Sequence, residues 1–144
     1  MKKKTLAVSL PYERQDAFGA LSMPVYNAVA YEFETAKDMA DAFTGRVIAP
    51  DYSRTANPTV TNLERRVKAL TGAHDVTAMN SGMAAISNTV MALAASGKNI
   101  VTSRHMFGNT FSLITQSLKR FGVEARPCDL LNLDEVKSKM DDNT

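Results

Sequence analysis

The sequence predicts an α/β fold built on a parallel sheet. Two observations predict it. From Val76 onward, short apolar runs alternate with helix-periodic runs in the order strand, helix, strand, helix, strand, helix. That alternation folds into parallel strands joined by right-handed crossovers. The first two of these helical runs also stop at glycines, Gly97 and Gly122, the residue type that ends helices in left-handed backbone. Three strands with their helices make half of a doubly wound domain. The last helix has no strand after it, so the chain is expected to be a piece of something longer.

The elements follow in order. The first ~34 residues lack sustained periodicity and carry turn signals at Pro11, Gly19 and Pro24. They read as an extended arm, which packs on another domain or subunit because it cannot bury itself alone. Thr35 reads as an N-cap, with Ala36, Met39, Ala40 and Phe43 on one face and Gly45 as the stop. Asn57-Pro58 is a helix start, cap then proline, and Val60, Leu63, Val67 and Leu70 recur at helical spacing before Gly72. Val76 to Met79 is a short apolar strand, and Ser81-Gly82 turns the chain into the next helix, through Ile86, Val90, Met91 and Leu93. Asn99 to Ser103 is a strand. Asn109 or Thr110 caps a helix through Phe111, Ile114, Leu118 and Phe121. Val123 to Arg126 is the third strand, and Asp134 begins a final short helix.

Bulk properties exclude several function classes. Net charge is +2, with Lys2 to Lys4 the only cluster, so neither a nucleic-acid face nor a membrane-binding surface is expected. The apolar run Leu6 to Leu10 is too short for a signal peptide and meets Pro11, Glu13 and Arg14. No stretch approaches the ~20 apolar residues that span a bilayer. The single Cys128 rules out an internal disulfide and fits a reducing, cytoplasmic location. His74 and His105 stand far apart with no metal-ligand spacing, so no metal is expected.

Two segments carry chemistry. Tyr52-Ser53-Arg54-Thr55-Ala56-Asn57-Pro58-Thr59 offers a phenol and a guanidinium two residues apart. In extended backbone they face one side, and Arg presents a planar fork that matches phosphate oxygens. A surface Tyr with an Arg paired to a carboxylate is the alternative. Asn80-Ser81-Gly82-Met83-Ala84-Ala85 places a small turn at a helix start, where free N–H groups and the positive end of the helix dipole favour an anion. An ordinary Ser cap is the alternative there. Phe107 follows the second strand, at the carboxyl end where ligands collect in parallel sheets. Its ring either stacks on a flat cofactor or fills the core. Arg104 and His105 beside it read as a solvated loop.

The run at 52–59, the helix with Glu64 and Leu70 behind it, and Ser-Gly-Met-Ala-Ala-Ile at 81–86 resemble the Cys/Met-metabolism family of pyridoxal-phosphate enzymes. The resemblance covers Pro24 to Thr144. It implies a type I (aspartate-aminotransferase-like) pyridoxal-phosphate transferase fold, with residues 1–57 an arm reaching a neighbouring subunit and residues 58–144 the first part of the large cofactor-binding domain. It implies pyridoxal 5'-phosphate as cofactor, bound by Tyr52 and Arg54 across a subunit boundary and by Ser81, Gly82 and Met83 within the chain. Tyr52 is also expected to assist proton movement or substrate binding there. Phe107 matches the position where most members carry a Tyr over the pyridine ring; the stacking surface is kept and the hydroxyl is gone. Asn109 falls where the family varies and is expected to bear on substrate preference. The lysine that holds the cofactor covalently lies past the end of this chain in the family pattern, and Lys68, Lys98 and Lys119 do not match it.

The implied activity is γ-replacement on O-acetyl-L-homoserine with a sulfur nucleophile, as in the O-acetylhomoserine sulfhydrylase branch. A methionine or cystathionine γ-lyase, or a cystathionine γ-synthase, is the runner-up. The implied partners are an amino-acid substrate, a sulfur donor and further copies of the chain, commonly a dimer of dimers. A non-enzymatic alternative is an inactive chain that only occupies an oligomer interface.

Overall fold

A parallel pair of strands forms the centre of the second half of the chain. The computed structural model describes residues 3–10 and 18–144. The turn signal at Pro11 and the charges of Lys2, Glu13 and Arg14 lie outside the described residues. The chain divides into two compact units, Met1–Ala78 and Met79–Thr144.

Among the described residues the first unit holds three helices, α1 (Lys3–Ser9), α2 (Ala36–Phe43) and α3 (Pro58–Thr71). The helix at Lys3–Ser9 corrects the expectation of a wholly extended arm. It is too short to hold itself, and tertiary contact supplies the missing stabilisation: Arg66 of α3 donates to the carbonyls of Ala7 at 3.1 Å, Val8 at 3.4 Å and Leu10 at 3.5 Å. These carbonyls lie at the end of the helix, where no intrahelical donor remains. Helices α2 and α3 start as their caps dictate. The Thr35 hydroxyl accepts from Asp38 N–H at 3.1 Å, and the Asn57 side chain accepts from Thr59 N–H at 2.9 Å. Gly72 closes α3 at φ +75°.

Residues 24–31 do not stand free. Tyr26 N–H donates to the Thr59 hydroxyl at 2.8 Å, and Asn57 donates to the Tyr26 carbonyl at 3.0 Å. Ser53 N–H donates to the Val29 carbonyl at 2.8 Å, and Ala30 bridges Tyr52 in antiparallel sense. The segment therefore satisfies part of its backbone on α3 and on the stretch before it, though Val25 and Val29 stay exposed.

Val76 to Met79 forms no strand among the described residues, which corrects the first of the three expected strands. A strand needs a ladder partner. Here Ala78 N–H instead donates to the Glu64 carboxylate at 2.7 Å.

The second unit runs α4 (Gly82–Leu93), β1 (Asn99–Ser103), α5 (Gly108–Ser112), β2 (Glu124–Cys128) and α6 (Leu133–Lys139). β1 and β2 pair in parallel, with Asn99 opposite Glu124 and Ser103 opposite Cys128. The strand expected to stop at Arg126 continues through Pro127. A proline is tolerated there because each strand of a two-stranded ladder has one free edge that needs no donor. α5 starts at Gly108 with Phe107 as its cap residue, so neither Asn109 nor Thr110 caps it. It passes without a break into a π turn (Leu113–Ser117) and a 3-10 turn (Leu118–Phe121). Ile114, Leu118 and Val123 form the buried core, packed by Val90, Ala94, Ile100, Met106 and Ala125. Cys128 is fully buried and weakly bonded to the Thr102 carbonyl.

Gly122 ends the 3-10 turn at φ +77°, and a Cβ there would run into the Ser96 hydroxyl. Gly122→Ala is therefore expected to destabilise the protein by roughly 1–3 kcal/mol, from left-handed strain and overlap together. Urea denaturation measures it.

Asp141 ties the last residues to the sheet. Its carboxylate accepts from Arg126 at 2.7 Å, from Asn143 N–H at 2.8 Å and from the buried Asn99 at 2.8 Å. The Arg126 guanidinium first, then the two N–H donors, hold its pKa at about 2 against an ordinary 3.8. A carboxylate depressed in the folded state contributes stability that is complete above its unfolded pKa. That contribution is expected to fade as pH falls from about 4 to about 2. In Asp141→Asn, acid titration of stability should lose this part of its slope.

Candidate functional site

Each candidate residue sits where local backbone geometry places it. In the second unit, Ser81 has extended backbone and begins α4. Its hydroxyl accepts from Ala84 N–H at 3.1 Å and its carbonyl from Ala85 N–H at 3.0 Å. The N–H groups of Gly82 and Met83 have no acceptor among the described residues. They point out of the positive end of a twelve-residue helix. A Cβ on Gly82 would meet nothing within 4 Å, so the approach to these donors is open. Ser81 accepts as a cap and still has its own hydroxyl hydrogen to donate. Capping and anion binding are thus compatible here. The donor set fits a phosphate: two backbone N–H groups, one hydroxyl and a helix dipole.

The loop from Arg104 to Phe107 leaves the carboxyl end of β1. Phe107 is 81% exposed, so it fills no core among the described residues. Asn109 is exposed one residue into α5. The Thr110 hydroxyl reaches the Met83 sulfur at 3.7 Å. This contact brings the start of α5 beside the start of α4, as the crevice at the carboxyl ends of parallel strands requires.

In the first unit, Tyr52 and Arg54 come together in a way that spacing alone did not predict. The stretch is a turn rather than an extended strip: Thr55 N–H donates to the Tyr52 carbonyl at 2.8 Å and Ala56 N–H to the same oxygen at 3.0 Å. The Arg54 guanidinium lies over the Tyr52 ring, 4.9 Å from its centroid, a cation–π contact. Among the described residues Arg54 has no carboxylate partner. Both side chains are exposed.

Sequence reasoning missed the group that holds this turn. Asn57 is buried, and besides capping α3 it donates to the Ser53 hydroxyl at 2.9 Å and the Tyr31 hydroxyl at 3.2 Å. The Asn-Pro signal pointed to the cap but carried no sign of these partners. Arg104 is not merely solvated either: it pairs with Glu135 of α6. Thirty-one residues separate the two, and no spacing rule links them.

No three His, Cys, Asp or Glu side chains converge as metal ligands among the described residues. No helix among them is long and apolar enough to cross a membrane.

Residues 4–144 match the model of the Cys/Met metabolism PLP-dependent enzyme family. An L-methionine gamma-lyase from Fusobacterium nucleatum is 37% identical over 130 residues, 90% of this chain and 33% of that protein. An O-succinylhomoserine sulfhydrylase from Pseudomonas aeruginosa is 42% identical over 120 residues, 83% of this chain and 30% of that protein. A solved structure of a candidate O-acetylhomoserine (thiol)-lyase from Campylobacter jejuni superposes with a TM-score of 0.93 at 35% identity, covering all of this chain and 35% of that one. It carries a pyridoxyl-lysine monophosphate. The chain thus spans about a third of the length of the relatives it matches. Its architecture is that of the type I pyridoxal-phosphate transferases. Family model, relatives and fold agree: the chain belongs to the Cys/Met-metabolism family of pyridoxal-phosphate-dependent enzymes, and its cofactor is pyridoxal 5'-phosphate.

Proposed function

We propose that this chain supplies the phosphate-binding part of an enzyme that replaces the γ-substituent of O-acetyl-L-homoserine with a sulfur nucleophile. The products are homocysteine or methionine. The observation that carries the reading is the start of α4, where Gly82 and Met83 present unused N–H groups beside the Ser81 hydroxyl. When bound, pyridoxal phosphate supplies an electron sink that lets the γ-substituent leave.

The roles of this chain's residues follow from their chemistry. Gly82 and Met83 N–H and the Ser81 hydroxyl hold the phosphate. Phe107 offers an exposed flat face for stacking. Tyr52 and Arg54 serve the site of a neighbouring subunit, where Arg54 grips the phosphate and Tyr52 carries a proton near the substrate. Residues 1–57 then act as an arm, residues 58–144 as the first part of the large domain, and the assembly is a dimer of dimers. Asn109, next to the stacking ring, tunes substrate preference.

The whole enzyme of which this chain is the phosphate-binding part, loaded with cofactor, is expected to convert O-acetyl-L-homoserine and hydrosulfide to homocysteine and acetate. A γ-lyase is the second reading, supported by the L-methionine gamma-lyase among the relatives. It would release 2-oxobutanoate, ammonia and methanethiol from methionine without a sulfur nucleophile. Absence of both product sets would overturn the proposal.

Phe107→Tyr restores the hydroxyl that most of the family carries. The side chain is exposed, so the fold is expected to tolerate it. The ratio of elimination to replacement is expected to rise. An unchanged product ratio would show that the hydroxyl does not steer the leaving group.

A further inference from the structure

We propose that Arg104 and Glu135 are positioning residues for Phe107, their ion pair latching the loop that carries the ring. This rests on the reading of Phe107 as the ring that stacks on the cofactor.

Phe107 projects into solvent and takes no part in the buried core. Packing therefore does not hold its ring, and the backbone of residues 104–107 must. That loop is tied at both ends. At its start, Arg104 N–H donates to the Cys128 carbonyl at 2.9 Å, extending the ladder one step past β1. At its end, Phe111 N–H donates to the Phe107 carbonyl at 2.9 Å. Between them the Arg104 guanidinium reaches one oxygen of Glu135, whose other oxygen accepts Asp129 N–H at 3.1 Å.

One carboxylate thus joins the two loops that leave the carboxyl ends of β1 and β2. Glu135 itself is placed by the Asn132 cap, which accepts its N–H at 3.1 Å. A half-exposed ion pair contributes little to global stability. Its geometry is nonetheless shared between two loops, and ligand-binding loops are drawn from the least stable parts of a fold. Its effect is therefore expected on the ring rather than on unfolding.

The test is a double-mutant cycle on the cofactor-loaded protein, read by cofactor affinity and by the circular dichroism induced in the cofactor band. Glu135→Ala is expected to weaken affinity roughly three- to tenfold when Phe107 is present. In a Phe107→Ala background it should add less than about twofold. In the cofactor-free protein, amide exchange of Met106 to Gly108 should speed up in Glu135→Ala. Glu135→Gln keeps the acceptor for Asp129 and guards against misfolding; it should show part of the same loss. The exchanged pair Arg104→Glu with Glu135→Arg restores the ion pair but offers no acceptor to Asp129 N–H, so it should recover affinity only in part.

Equal losses in both backgrounds, or a lower Tm with unchanged affinity, would overturn the latch. If Phe107→Ala alone leaves affinity and dichroism unchanged, the stacking reading fails first and the positioning role falls with it. Faster amide exchange would then still report the latch as a contact without that purpose.

Discussion

Arg54→Ala is expected to weaken pyridoxal phosphate binding by roughly tenfold to a hundredfold. A charge-assisted contact to phosphate is worth about 1.5–3 kcal/mol, and each ~1.4 kcal/mol is a factor of ten. The effect should be concentrated in binding. Arg54 is exposed and its one described partner is the Tyr52 ring, 4.9 Å away, so global stability should change little. Arg54→Lys separates the two parts of the interaction. It keeps the charge but loses the planar fork and its stacking geometry, and should fall between wild type and Ala. Titration of the cofactor-free protein with pyridoxal phosphate measures all three. Unchanged affinity in Arg54→Ala would remove Arg54 from the phosphate site.

The largest stability effect is expected at Asn57. Its side chain serves four partners: the oxygen accepts from Thr59 N–H, and the two amide hydrogens are shared among the Tyr26 carbonyl and the Tyr31 and Ser53 hydroxyls. Loss of the cap costs about 1 kcal/mol. The half-buried groups left without this donor cost about 1–3 kcal/mol more. Asn57→Ala is therefore expected to lower stability by about 2–4 kcal/mol in urea denaturation. Asn57→Ser restores a capping oxygen but cannot reach all three acceptors, and should recover about 1 kcal/mol. A loss below about 1 kcal/mol in Asn57→Ala would mean that the network contributes only its cap. Because Ser53 lies between Tyr52 and Arg54, the same substitution should also weaken cofactor binding, by less than Arg54→Ala does. On the proposed reading Arg54 bears on the ligand itself, whereas Asn57 bears only on the turn that carries it.

These two residues show how legibility divides. Asn57 was readable as a cap because its partner is two residues away. The contacts of its amide nitrogen cross 4, 26 and 31 residues, and the two long ones are invisible to any local rule. Tyr52 and Arg54 were readable as a pair by residue type, but the geometry that joins them was misread. A turn closed on the Tyr52 carbonyl brings them together, and alternation along a strand does not. The helix at Lys3–Ser9 went unread for a related reason. Its sequence carries no cap, and its carbonyls are met by Arg66, 58 and 59 residues further on at Val8 and Ala7. The strand expected at Val76 to Met79 had the right composition, but apolar composition does not supply a ladder partner.

The sequence by itself determined the helix starts at Thr35, Asn57 and Ser81, the left-handed stops at Gly72 and Gly122, the β1–α5–β2 alternation and the family. Each of these depends on groups within a few residues of one another, or on a motif of consecutive residues. The tertiary structure alone decided that Asn57 ties residues 26, 31 and 53 together, that Thr110 brings the start of α5 to Met83, and that Glu135 joins Arg104 to Asp129. Apart from Asn57–Ser53 and Glu135–Asp129, which span four and six residues, those contacts form only once the chain has closed loops of tens of residues, and the entropy of closure leaves no local pattern to read.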